Sequence, residues 1–148
     1  MTWYFDNNEI NELPEQCVGF VYKITCLKNN KKYIGKKLAK FTKTSVKTVL
    51  QKNGIKKKKK IKTLVDSDWR TYYGSSEALL KDLELFGADN FKREILYICT
   101  SKSACSYLEL REQIINNVLF YPDEWYNSYV GARVHRNHVK DLDLQLLK

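Results

Sequence analysis

The sequence contains no run of about 18 apolar residues, the length a membrane-crossing helix needs, so a membrane protein is not expected. Its start, Met-Thr-Trp-Tyr-Phe-Asp, has neither the basic nor the apolar segment of a secretory leader, and a cytoplasmic protein is expected. The four cysteines, Cys17, Cys26, Cys99 and Cys105, include no Cys-x-x-Cys pair. Zinc and dithiol chemistry are therefore unsupported, and buried thiols in a reducing compartment fit better. His135 and His138, with no cysteine or acid at ligand spacing, make a poor metal pair and read as surface residues of a basic tail. The most informative absence is that of acid: between Lys28 and Lys62 there is no aspartate or glutamate.

That same stretch holds fifteen lysines, among them the run Lys56, Lys57, Lys58, Lys59 and Lys60, within a chain of net charge +9. A polyanion is the natural partner, nucleic acid ahead of membrane because no apolar face accompanies the lysines. Residues 1–17 are acidic by contrast and are set apart as an N-terminal arm. Residues 38–66 carry weak structural signals. Leu38 to Leu50 has apolar positions suited to part of a helix, Asn53-Gly54 interrupts it, and a flexible lysine-rich insertion that orders on DNA is expected. With 148 residues, 43% of them hydrophobic, a single domain over residues 18–130 and a tail over 131–148 account for the rest.

The stretch from Phe20 to Gly35 organises that domain. Two runs rich in β-branched and aromatic residues flank Lys28-Asn29-Asn30-Lys31, which is a hairpin signal. Tyr22 stands on the first strand and Tyr33 on the second, with Gly35-Lys36-Lys37 close behind, so phenols and cations share one patch. Ser75 or Ser76 caps a helix carrying Leu79, Leu80, Leu83 and Phe86, which Gly87 ends. A strand follows from Phe91 to Thr100, with Ile95, Tyr97 and Cys99 on one face. A second helix, Ser103 to Leu119, shows an apolar row of Ala104, Leu108, Ile115 and Leu119, flanked by Glu109, Glu112 and Gln113. The last residues, Asp141 to Lys148, suit a strand or a short helix equally. The expected fold is α/β (α+β): a small antiparallel or mixed sheet of three strands flanked by helices.

Phe20-Val21-Tyr22 with Tyr33-Ile34-Gly35 resembles the signature of the GIY-YIG nucleases, with Phe-Val in place of Gly-Ile. The order of hairpin, helix, strand, glutamate-bearing helix and a closing Tyr126-Asn127 is similar too. Tyr-Ile-Gly-Lys-Lys, Asp-Trp-Arg-Thr-Tyr-Tyr-Gly-Ser-Ser and the Tyr107, Glu109, Gln113 pattern look like a phage-encoded, free-standing homing-type branch. The resemblance implies metal-dependent hydrolysis of a phosphodiester in double-stranded DNA, by a monomer or homodimer, in homing or in competition between phages.

By the same resemblance Tyr22 would be the general base and Tyr33 would position water or phosphate. Glu109, or alternatively Glu112, would bind Mg²⁺ or Mn²⁺, and Asn127 would support the glutamate or the hairpin. A phenol of ordinary pKa, about 10, needs nearby lysines or metal-bound water to favour its phenolate form if it is to act as a base. The family commonly has an arginine past the second tyrosine; Lys43 stands at that spacing here, and Arg70 is the preferred substitute. Lys36, Lys37, Lys56 to Lys60, Trp69, Tyr73, Arg133 and Arg136 are the candidates for DNA contact. Two other readings stay open: a non-catalytic DNA-binding protein on this fold, and a protein whose basic loop meets an acidic partner.

Overall fold

In the computed structural model, which describes residues 2–131, 136–138 and 141–143, the tyrosine-bearing stretch is an antiparallel hairpin of β3 (Gly19–Cys26) and β4 (Lys32–Leu38). Asn30 turns it in the left-handed region, at φ 59°, a conformation asparagine tolerates. β3 has a strand on either side. β4 flanks it on one side and β7 (Phe91–Cys99) on the other, both antiparallel, and β3 is buried on both faces, as its nearly continuous apolar sequence requires.

The sheet is larger than the three strands expected. β1 (Trp3–Phe5) runs parallel to β7, and β2 (Asn8–Ile10) folds back on β1, giving five strands in the order β2-β1-β7-β3-β4. Asp6 and Asn7 both have positive φ, 48° and 66°, the geometry of a two-residue hairpin turn. Trp3, at 1% exposure, fills the core beside Phe20 and Tyr22, and its indole N–H donates to the Trp69 carbonyl at 2.8 Å. Part of the segment set apart as an acidic arm is thus built into the sheet.

α1 (Glu77–Phe86) begins and ends where expected. The Ser76 hydroxyl accepts from the Leu79 N–H, and Gly87 closes the helix at φ 83°. Leu79 is fully buried, with Leu83 and Phe86 partly so, in the cluster on the Trp3, Phe20 and Tyr22 face. α2 (Lys102–Ile115) covers the other face through Cys105 and Leu108, with Val118 and Trp125 completing that cluster.

Three expectations are corrected. The second helix stops before Leu119, because Asn117 turns left-handed at φ 52° and the Val118 N–H bonds back to the Gln113 carbonyl. The predicted row therefore breaks: Ile115 and Leu119 are exposed, and Gln113 is buried. In β7 the pairing register to β3 shifts between Val21, opposite Tyr97, and Tyr22, opposite Ile95. That bulge places Ile95 and Ile98 with the Tyr22 cluster and Tyr97 and Cys99 with the α2 cluster, so Ile95 and Tyr97 face opposite ways.

Third, residues 38–66 hold no helix and no loose insertion. They form β5 (Lys40–Leu50) and β6 (Lys56–Asp66), an antiparallel ribbon in unbroken register from Lys40↔Asp66 to Leu50↔Lys56. Asn53-Gly54, with Gly54 at φ 79°, is its turn. The base is fastened to the domain by Ala39 N–H to the Val18 carbonyl, Ser67 N–H to the Ala39 carbonyl and the Ser67 hydroxyl to the Leu38 carbonyl.

Candidate active site

Tyr22 and Gly35 are direct partners across β3 and β4. A side chain at Gly35 has no room: a Cβ there would lie 2.5 Å from the Tyr22 hydroxyl oxygen and 2.8 Å from Tyr33 Cε1. The missing side chain lets the Tyr22 ring lie across β4 and bring its phenol to the strand's outer edge. Gly74, at φ 89°, closes from the other side, its Cβ position 3.3 Å from both the Tyr22 hydroxyl and Tyr33 Cε1. The Tyr22 ring centroid is 6.1 Å from that of Tyr33 and 6.0 Å from that of Tyr72, and the Tyr33 hydroxyl hydrogen-bonds Ser75 Oγ at 3.4 Å.

β4 is an edge strand, so groups from both faces of the sheet meet around it. From the α2 side come Glu109, Gln113 and Lys36, whose ammonium donates to Ser106 Oγ. Together with Tyr22, Tyr33, Tyr72, Ser75, Asn127 and Tyr129 they line an open cleft of about 840 Å³.

The cleft's electrostatics follow from burial. Desolvation raises the Glu109 carboxyl above its ordinary pKa, only partly offset by the Lys36 ammonium and the Lys36 backbone N–H. Burial, then the neighbouring Tyr72 and Tyr33, push the Tyr22 phenol well above 10, so it is a neutral phenol near pH 7. Tyr33 is raised by burial as well, against a lowering hydrogen bond from Ser75.

Asn127 holds the strand rather than facing the cleft with a free amide. Its Oδ1 accepts from the Ile34 N–H at 3.1 Å, and its Nδ2 donates to the Ile34 carbonyl at 2.8 Å. Gln113 Nε2 donates to the same carbonyl at 3.0 Å. The residue between Tyr33 and Gly35 is thus pinned through its backbone, and the preceding Tyr126 hydroxyl donates to Asp82 on α1 at 2.6 Å.

Two tyrosines converging over a glycine, with a helix-borne glutamate and a clamping asparagine, give the fold its site. The family model described as "Putative endonuclease segE, GIY-YIG domain" matches residues 3–130. The chain belongs to the GIY-YIG family. No curated protein and no solved structure matches it.

The GIY-YIG cleft separates the candidates that sequence left together. Glu112 is outside it: its carboxylate accepts from the Tyr97 hydroxyl at 2.6 Å and pairs with Arg111, in a smaller hollow lined by Tyr4, Asp6 and Glu94. Lys43 lies on β5, away from the cleft. Arg70 stacks on Trp69, pairs with Glu12 at 3.4 Å and lines a different hollow. Neither proposed substitute for the usual arginine is therefore at the phenols, and among the described residues Lys36 is the cation lining the cleft there.

The remaining DNA-contact candidates are spread out. Trp69, at 3% exposure, is a core residue and cannot stack on a base without unfolding its surroundings, and Tyr73 packs against the buried Arg93. Lys37 bonds Asp68 and lies over the Tyr72 ring. Lys56 to Lys60 sit on the ribbon, and Arg136 is exposed on a short turn of helix; Arg133 lies outside the described residues. Tyr72 and Ser75 line the cleft and Gly74 closes on its phenols, but none of the three is among the catalytic candidates read from sequence. Their signal was Gly74 itself, a glycine directly after two tyrosines and ahead of a helix cap.

Proposed function

We propose that the protein is a metal-dependent endonuclease that hydrolyses phosphodiester bonds of double-stranded DNA, with Glu109 as the metal ligand. The observation that carries this is the meeting of the Tyr22 and Tyr33 phenols, the Glu109 carboxylate and the Lys36 ammonium in one cleft. Among the described residues no group of three or more His, Cys, Asp or Glu could cage a metal ion. Glu109 is a partly desolvated carboxylate in an open cleft that Glu77 also lines, and so sparse a set of carboxylates suits Mg²⁺ or Mn²⁺, since Mg²⁺ keeps several waters and takes its other oxygens from substrate phosphate. When bound, the ion would neutralise charge on the phosphate and the leaving oxygen.

The chain's own groups divide the remaining work. Lys36 attracts the scissile phosphate, and Tyr33, steadied by Ser75, orients it or the water. Tyr22 takes the proton of the attacking water in its ionised form, which burial makes scarce near neutrality, so the rate rises with pH. Asn127 and Gln113 keep β4 in place beneath both phenols. The homing or phage-competition role rests on the resemblance of the motifs alone. A monomer suffices to build this cleft, whereas two cuts on opposite strands would favour a homodimer.

A second reading, a non-catalytic DNA-binding protein, is favoured by one observation: Lys43 and Arg70 both lie outside the cleft. Cleavage of supercoiled plasmid separates the two. Nicking or linearisation should need Mg²⁺ or Mn²⁺, stop in EDTA, and fall by about 100-fold or more in Tyr22→Phe. Glu109→Ala should abolish it, while Glu112→Ala retains it. Tight binding without cutting under either metal would select the second reading.

A further inference from the structure

We infer that the β5–β6 ribbon lies in the major groove of double-stranded DNA, one face toward the base edges, and selects the site at which the cleft acts. The endonuclease reading supplies the consequence of this docking, but the fit of the ribbon to duplex DNA stands on the ribbon's own properties.

The ribbon has no core. Every residue from Phe41 to Lys60 is exposed, and among the described residues no other strand or helix packs along the ribbon's length. Val46, Leu50 and Leu64 are 63%, 67% and 72% exposed. A two-stranded hairpin is marginally stable in water by itself, and this one also sets Lys47 directly opposite Lys59, a repulsive cross-strand pair. Between Lys40 and Asp66 there are ten lysines, and Asp66 is the sole acid. A polyanion both relieves that repulsion and covers the ribbon.

Shape narrows the polyanion to a duplex. Eleven residues per strand extend about 35 Å, close to one turn of B-DNA. The major groove is wide enough for a two-stranded ribbon. A bilayer is a poorer match, because the apolar residues are divided between the two faces: Val46, Leu50 and Leu64 on one, Phe41, Val49 and Ile61 on the other.

Register divides the polar groups too. On one face Thr42, Thr44, Val46 and Thr48 stand opposite Leu64, Lys62, Lys60 and Lys58. Hydroxyls, methyl groups and ammonium groups are the chemistry that meets base edges, lysine at guanine and methyl at thymine. The other face carries Lys43, Lys47, Lys57 and Lys59, whose long stems can reach the phosphates along the groove walls, contacts that supply affinity without sequence choice.

Binding measured in EDTA tests this whether or not the protein ever cuts, so failure of the endonuclease reading would appear separately, as binding without cleavage. Randomised duplexes are selected by the full chain, by Lys60→Ala with Thr44→Ala, by Lys57→Gln with Lys59→Gln, and by a chain in which Asn-Gly joins Thr42 to Leu64. The Lys60 and Thr44 changes should relax preference at the base pairs they read by about 5- to 150-fold. The Lys57 and Lys59 changes should leave preference intact and lower the slope of log K against log salt by about 0.9 for each phosphate that is no longer neutralised. The shortened ribbon should lose both effects, and methyl green, a major-groove ligand, should compete where netropsin, a minor-groove ligand, does not. Unaltered selection by the shortened chain, competition by netropsin alone, or equal binding to anionic vesicles would overturn the inference. Because the two side-chain pairs are exposed, the point variants decide the matter even if the shortened chain does not fold.

Discussion

Replacing Asn127 tests whether the cleft is held from behind. Ile34 is at 1% exposure, and its N–H has the Asn127 side-chain oxygen as acceptor. Asn127→Ala leaves that buried donor unsatisfied, a cost of about 1–3 kcal/mol, and removes one of two bonds to the Ile34 carbonyl, about 1 kcal/mol more. Gln113 keeps the second. The sum, about 2–4 kcal/mol, corresponds to a melting temperature lower by about 5–15 °C in a domain of this size. Asn127→Asp should be nearly as harmful, because its second oxygen would face the Ile34 carbonyl. Gln113→Ala should cost only about 1 kcal/mol, and since both side chains share one acceptor, the double variant should depart from additivity. Differential scanning fluorimetry and urea melts read the stabilities, and plasmid cleavage reads the displaced phenols. If Asn127→Ala melts with the wild type yet no longer cuts, the residue touches substrate and the clamp is refuted.

Gly35→Ala should cost about 1–3 kcal/mol and displace the Tyr22 ring, since the new methyl would overlap the phenol; wild-type stability and cleavage would refute the close approach. Arg93, at 2% exposure between the Trp3 and Tyr73 rings, donates to the Arg70 and Tyr72 carbonyls, so Arg93→Lys, with a point donor in place of a fork, should lose about 2–3 kcal/mol in urea melts. Glu109→Gln should stabilise the metal-free protein. Because folding raises the Glu109 pKa above 4.5, the wild type is penalised once pH climbs through the folded value, whereas below 4.5 the two should converge. Melts in EDTA from acid to neutral pH check the sign, and a gap that widens toward low pH would contradict it.

The periodic parts were legible. Ser76, the Leu79 to Phe86 spacing and Gly87 specify α1 locally, and the tyrosine hairpin announces itself through β-branched runs around an Asn-Asn turn. β1 and β2 escaped because three-residue strands leave too little alternation to detect, and Trp3 gains its place only through tertiary contacts with Phe20, Tyr22 and the Trp69 carbonyl. The ribbon escaped because lysine has no β preference; its cross-strand register and Asn53-Gly54 turn mark it instead.

At the cleft, sequence by itself determined which residues were eligible: Tyr22, Tyr33, Gly35, a glutamate on α2 and Asn127 were identified from type, order and resemblance. Tertiary structure separated Glu109 from Glu112, which lie three residues apart on α2: the first lines the cleft and the second does not. Tyr97, placed on that face by the β7 bulge, bonds Glu112, while Glu109 reaches the edge of β4 beside Lys36. It also placed Lys43 and Arg70 away from the phenols, since a ribbon and an ion pair with Glu12, not chain spacing, set where those cations stand. Eligibility is a property of local chemistry; the choice among eligible groups comes from contacts between residues distant in the chain.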